Sequence, residues 1–347
     1  MGFFTKLLLS PLPTSGAHLP LFLRVFCGTL LYEMAKRTRS FPLFLSVFVL
    51  LCSLCSPAWA AGQKVSISLG VLPVIDTLPL IVGAEKGYFE QHGFSVKLVN
   101  FSSALERDVA LQSGRIDAYF GDLLNTLLLI NSGQRLSIVT TVFHTDHNQR
   151  MFALLASPKS GIMSVKQVEG QQVAISKASV IEYVLDRIAT QSGVRQDKIK
   201  KADIRAIPIR YQMLMADKIK LALLPEPLAA KAELEGAKVL ADDRMLDTTL
   251  TVVALKTELL QNHPGLSASF IAAYGKAVQA INTNPDAFKD LLAERTQLPA
   301  SLKGRFKVPS FPNPEKPRKK DIKFVEDWLL ERGLMSKPKP YETVVAP

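Results

Sequence analysis

Two stretches of this chain read alike. Leu111-Gln-Ser-Gly-Arg-Ile-Asp-Ala-Tyr-Phe-Gly and Leu214-Met-Ala-Asp-Lys-Ile-Lys-Leu-Ala-Leu-Leu share a helix end, a basic residue, an Ile and an apolar strand. Leu111 and Leu214 lie 103 positions apart. Upstream, the strand–helix unit that follows Gly93 matches the one at Gly193 with a few residues of slip. Only two copies exist, too few for a stacked solenoid, so the chain reads as two similar α/β lobes.

The elements around each copy support this. In the first, Lys64 to Leu72 is a β-rich run, and Pro79 suits the first position of a helix over 80–86. A strand follows over 94–101, then a helix over 104–113 stopped by Gly114, and a strand over 116–120. In the second, 172–176 is a strand, and Ser179-Val-Ile-Glu182 has capping-box spacing for a helix reaching Gln191. Ile204 to Ile209 reads as a strand, Gln212 to Ala216 as a helix turn, and Ile219 to Leu224 as a strand. Strands alternating with helices predict an α/β fold with mainly parallel sheets. Thr249 to Leu255 reads as a strand returning to the first lobe, followed by helices over 266–283, from Pro285, and over 321–332. Lobe 1 is therefore expected to combine 61–157 with 249–347, and lobe 2 to hold 158–248. Two crossovers make a hinge, and the cleft beside it can hold a ligand.

The first 60 residues have a different chemistry. Met34-Ala-Lys-Arg-Thr-Arg-Ser is basic, Phe41 to Leu54 is apolar, and Ser56-Pro-Ala-Trp-Ala60 carries small residues where a cut after Ala60 needs them. These are the three regions of a secretory signal peptide. The apolar run is about 14 residues, shorter than the ~20 of a membrane span. Residues 1–33 are an unusual preface, so the signal is read from about Met34. Cys52 and Cys55 each follow a Leu, which argues against a lipid anchor.

Cys27, Cys52 and Cys55 all precede the cut, so the exported chain is expected to have no thiol nucleophile, thiolate-bound metal or disulfide. Beyond Ala60, 37 Lys and Arg face 30 Asp and Glu, a net charge of +7. The charges are interspersed and no aromatic-interleaved basic patch appears, so no nucleic-acid partner is expected. The densest cluster, Lys316 to Lys323, reads as a solvated loop. No phosphate-binding GxxxxGK[ST] loop, GxSxG elbow or HExxH pair occurs. His144-Thr-Asp146-His147 offers metal-binding side chains but no further ligand at suitable spacing, and no metal or cofactor is expected.

A family likeness rests on particular residues. Leu72-Pro-Val-Ile-Asp-Thr-Leu-Pro79, Ala84-Glu-Lys-Gly-Tyr-Phe89, Ser113-Gly-Arg-Ile-Asp117 and Leu223-Leu-Pro-Glu-Pro227 resemble segments of nitrate/sulfonate/taurine-type, THI5-like ABC substrate-binding proteins. So do Val325-Glu-Asp-Trp328-Leu, Gly333-Leu and Tyr341-Glu. The resemblance implies a type II periplasmic binding fold. It also implies a monomeric periplasmic protein that carries a small molecule to an ABC permease and its ATPase. The resembling pyrimidine-precursor enzymes use a cysteine-rich segment with iron and a self-sacrificing His, and a Cys-free exported chain argues against that activity. A sensor or scaffold of the same fold is the other alternative. No catalytic residue is assigned.

In open α/β sheets, ligands bind beyond the carboxyl ends of strands, where helix N-termini present free N–H groups. The candidate ligand residues are therefore Asp76, Thr77, Ser102, Ser103, Asp122 and Asn125 in lobe 1, with Ser176, Ser179, Arg210 and Glu226 in lobe 2. Ser179, Ser102, Ser103 and Thr77 also have the chemistry of helix caps. Arg210, read as following a strand, suits a carboxylate or sulfonate. Three acids beside one cleft tilt the reading towards a ligand with N–H donors, an amine or an aminated heterocycle. Trp328, the one tryptophan beyond Ala60, falls in the C-terminal helix, away from these junctions.

Overall fold

The computed structural model describes residues 65–296 and 298–347. The proposed signal segment, its cut after Ala60 and the three cysteines lie outside these residues. The chain opens with β1 (Val65–Val71), α1 (Leu78–Glu85), α2 (Tyr88–Gln91) and β2 (Phe94–Asn100). Next come α3 (Ala104–Gln112), β3 (Ala118–Asp122), α4 (Leu123–Asn131) and β4 (Leu136–His144). The second lobe holds β5 (Phe152–Ala156), β6 (Gln172–Ile175), α5 (Val180–Gln191), β7 (Lys200–Asp203) and α6 (Ile207–Met215). It closes with β8 (Leu221–Pro225), α7 (Leu228–Leu234) and β9 (Lys238–Asp242). The chain then returns through β10 (Thr249–Lys256), α8 (Thr257–Asn262) and α9 (Leu266–Thr283). It ends with α10 (Lys289–Arg295), α11 (Lys319–Glu331) and α12 (Tyr341–Val344).

The two sheets are built on one plan, β2-β1-β3-β10-β4 and β7-β6-β8-β5-β9. In each, the strand that arrives from the other lobe is antiparallel to both its neighbours. That strand is β10 in the first sheet and β5 in the second. The expected α/β fold is present, but both sheets are mixed: the other four strands of each share one direction and the crossover strand runs against them. The spacing of 103 survives in space: α3 and α6 begin at 104 and 207, and β3 and β8 at 118 and 221. Even the helix stops correspond. Gly114 and Asp217 both take positive φ, 76° and 53°. Glycine does so without steric cost, and aspartate is among the few L-residues that tolerate it.

Three readings of the sequence are corrected. Ile204 to Ile209 is not a strand: β7 ends at Asp203 and α6 starts at Ile207, with Pro208 in its first turn. The β-branched Ile204, Ile207 and Ile209 favour a strand, while proline in the first turn loses no hydrogen bond and so permits the helix. Arg210 therefore sits inside a helix. The expected lobe boundary at 157/158 also moves, because β5 pairs with β8 and β9 and belongs to the second sheet. The basic cluster after Lys316 is not all loop either, since α11 begins at Lys319.

β3, β5 and β8 are buried along their whole lengths, as strands covered on both faces must be. Lobe 1 packs an aromatic group of Phe89, Phe94, Phe270 and Tyr274, with ring centroids 5.4 to 6.5 Å apart. One face of the lobe 2 sheet is filled mainly by small residues, among them Ala153, Ala174, Ala222, Ala229 and Ala232.

The crossovers run side by side and are pinned together. Thr145 N donates to Thr248 O at 3.0 Å, and Thr248 N donates to Thr145 Oγ1 at 3.0 Å. Asp243, just after β9, accepts from Met151 N and Phe152 N at 2.9 and 3.0 Å, which fixes the start of β5. His144 sits here too, bonded to Asp247 and Arg318, with Arg318 also holding the buried Asp321. Helix α11 packs on α4 of lobe 1. Its Trp328 meets Tyr183 of lobe 2 edge-on at 5.9 Å, and its Nε1 donates to Asp186 at 3.2 Å.

Candidate ligand-binding site

A cavity of about 370 Å³ opens where the carboxyl ends of β1, β3, β6 and β8 face one another across the lobes. Its walls are mostly apolar, with Leu72, Leu105, Phe120, Leu128 and Phe152 among them, and carry a few polar groups. That composition suits a small molecule with a substantial apolar body.

Seven of the ten expected residues line this space: Asp76, Ser103, Asp122, Asn125, Ser176, Ser179 and Arg210. Asp76 lies in the turn after β1, where its Oδ2 accepts from Thr251 Oγ1 at 2.7 Å. Asp122 caps α4, accepting from Asn125 N at 2.7 Å. Burial pushes both carboxyls up to about 6, with Thr251 opposing the shift at Asp76 and Arg107 at Asp122. Ser103 caps α3 through Glu106 N, and Ser179 caps α5 through Ile181 N. Ser176 supplies its carbonyl to the Ser179 hydroxyl at 2.6 Å.

Three residues are placed elsewhere. Thr77 turns its hydroxyl to Val74 O at 2.6 Å, and exposed Ser102 is held by Glu106. Glu226 is buried, accepting from Arg150 Nε at 2.7 Å and from Ala230 N at 2.9 Å. It joins the crossover to the N-terminus of α7 and does not line the cavity. Trp328 does not line it either, yet it stands at the contact between lobes.

The sequence reading missed Arg107, Asp108, Lys177 and Arg205, as well as the apolar wall. Leu105-Glu-Arg-Asp-Val looks like a solvated helix face, yet Arg107 is fully buried. Its Nη1 donates to Phe120 O at 2.8 Å and its Nη2 to Tyr119 Oη at 2.8 Å, while Nε and Nη2 both reach Asp108. Arg107 stacks on the Tyr119 ring, its Cζ 4.1 Å from the centroid. Gly121 leaves room for that ring, since a Cβ there would collide with Tyr119. One signal was available: Arg107 lies 103 positions before Arg210.

Comparison with known proteins places these features in a family. The model of the family described as NMT1/THI5 like matches residues 75–288. An ABC transporter periplasmic binding protein of Brachyspira hyodysenteriae is 21% identical over 280 residues, covering 75% of this chain and 78% of that protein. The riboflavin-binding protein RibY of Chloroflexus aurantiacus is 23% identical over 238 residues, covering 66% and 65%. Among solved structures, the alkanesulfonate-binding protein SsuA of Xanthomonas axonopodis pv. citri bound to MOPS has a TM-score of 0.68 at 17% identity. It covers 80% of this chain and 96% of its own. The desulfurization enzyme DSZB shares the fold as well, with a TM-score of 0.62 at 14% identity over 82% of this chain and 97% of that one.

Proposed function

We propose, from the premise that this chain belongs to the NMT1/THI5-like family, that it is an extracytoplasmic solute-binding protein serving an ABC importer. The observation that carries this reading is the 370 Å³ cavity between two lobes joined by paired crossovers. A cavity shared by two bodies is completed only when both close on the ligand. Binding then shifts the population towards the closed form, which is the form a permease and its ATPase can recognise. The signal-peptide reading agrees with this compartment, and a monomer suffices for the task.

A binding role fits the chemistry of the wall better than a catalytic one. Among the described residues no His or Cys lines the cavity, and the hydroxyls of three lining serines are engaged, Ser103 and Ser179 in helix caps and Ser132 on Leu129 O. A thermal-shift screen of the exported protein against sulfonates, amines, pyrimidines and oxyanions at millimolar concentration tests the reading. One chemical class is expected to raise Tm, because a ligand that binds only the folded state stabilises it. A flat response to every class overturns the receptor function.

A further inference from the structure

The ionic groups of the cavity are segregated by lobe. Asp76, Asp108 and Asp122 all come from lobe 1, whereas Lys177, Arg205 and Arg210 all come from lobe 2. The remaining ionic lining group, Arg107, is in lobe 1 and is tied to Asp108. The cleft is thus acidic on one wall and basic on the other.

Arg107 and Arg210 occupy equivalent places. They are 103 positions apart on the equivalent helices α3 and α6, and both are fully buried. Each donates to the equivalent strand carbonyl, Arg107 to Phe120 O of β3 and Arg210 to Leu223 O of β8. Beyond that they differ. Arg107 has partners for all three guanidinium nitrogens, including the Asp108 carboxylate. Arg210 bonds only carbonyls, Nε to Leu223 O at 2.9 Å and Nη1 to Ile204 O at 2.7 Å. Its Nη2 is buried without a partner among the described residues. The acid that acts on it electrostatically, Asp203, is already engaged by Arg205 Nε and Lys177 N.

A buried guanidinium with no carboxylate and a spare N–H is costly, unless something else brings the countercharge. We infer that Arg210 is the specificity-determining residue of this cleft, and that the countercharge is an anionic head group on the ligand. The inference rests on the solute-binding reading and deepens it. The ligand is an organic anion, a carboxylate, sulfonate or phosphate ester, whose apolar body lies against the Leu72–Phe120–Phe152 wall. Its charged end meets lobe 2, where exposed Lys177 and Arg205 add positive charge at the edge and steer the anion inward. The inference runs against a preference for an amine, because Asp76 and Asp122 lie on the opposite wall and Glu226 lies outside the cavity.

Matched pairs of small probes test this with the exported protein. Benzoate and benzamide, 2-naphthoate and 2-naphthamide, and hexanesulfonate and hexanesulfonamide differ in charge at nearly constant shape. In the wild type the anion of at least one pair is expected to bind tenfold or more tightly than its neutral partner. Arg210→Gln is expected to bring that ratio close to one, and Arg210→Lys to keep part of it. Equal affinity within every pair in the wild type, or a ratio that survives in Arg210→Gln, overturns the assignment. Should Arg210→Gln fail to fold, the wild-type ratio and Arg210→Lys still decide. If only neutral or cationic compounds stabilise the protein, the anion assignment fails while the receptor function stands. If nothing binds, both fail.

Discussion

The two lobes repeat one topology and yet meet the ligand with opposite chemistry. The shared part is a buried arginine on the helix before the third parallel strand, reaching that strand's carbonyl. In lobe 1, Tyr119 and Asp108 complete the arginine, and its position is structural. In lobe 2, the places corresponding to Tyr119 and Asp108 are Ala222 and Tyr211, which supply neither an acid nor a hydroxyl to Arg210. A duplicated plan can therefore keep one copy as scaffold and leave the other open for binding, through changes at two side chains. The guanidinium states follow. At Arg107 burial opposes the charge, but Tyr119, Asp108 and Asp122 together hold it above its ordinary value. At Arg210 burial prevails and draws it down to about 10.

The sharpest way to break this comparison is to remove each arginine in turn. Arg107→Met should cost about 3–5 kcal/mol, since it strands Asp108, Tyr119 and a strand carbonyl in the interior. Arg210→Met removes a buried charge that has no counterion and leaves two carbonyls short of donors, so it should cost only about 1–2 kcal/mol. Urea unfolding without ligand measures both. Equal losses would mean that the lobes are not divided in this way.

The acids of lobe 1 give a second test, in pH. Asp76 and Asp122 have folded-state values raised from 3.8 to about 6 by burial. Raised carboxyls contribute stability that is full below about 4 and lost as pH rises through about 6. The loss is at most about 3 kcal/mol for each, from a shift of about two units. Asp76→Asn and Asp122→Asn should each flatten the decline in stability between pH 4 and 7.5, and asparagine keeps the α4 cap. An anion held by Arg210 should also bind more tightly at pH 5.5 than at pH 7.5, because the opposite wall loses its negative charge. A steeper decline in either variant would contradict the burial of these groups.

Smaller effects remain. Gly121→Ala should displace the Tyr119 ring and loosen Arg107, costing about 1–3 kcal/mol by overpacking. The equivalent position in lobe 2 holds the buried Leu224, so Leu224→Ala should act only as a lost core contact. Denaturation midpoints separate the two. The mildest prediction concerns Trp328. Because its indole spans α11 and the lobe 2 residues Tyr183 and Asp186, ligand-driven closure should change its emission by a few nanometres or tens of per cent. Unchanged emission with a ligand that raises Tm would show that closure leaves this contact untouched.

The sequence alone determined the features that depend on neighbours along the chain. Hydrophobic periodicity, glycine stops and the caps at Ser103 and Ser179 are local, so two α/β lobes and most cleft junctions were legible. Local rules also explain the failures. Ile204 to Ile209 is rich in β-branched residues, yet its second half opens α6, with Pro208 in the first turn and the helix packed on β8. Glu226 resembles the other acids at strand ends until Arg150, 76 positions earlier, is seen to occupy it. The polarity of the cleft was decided only in three dimensions. Asp108 follows Arg107 on the same helix, but adjacency in the chain does not show that the arginine turns inward to Tyr119 and Phe120 O while still reaching that acid, nor that Arg210 finds only carbonyls. The 103-residue repeat already paired Arg107 with Arg210. It took the tertiary contacts to show that one has its acid and the other lacks one.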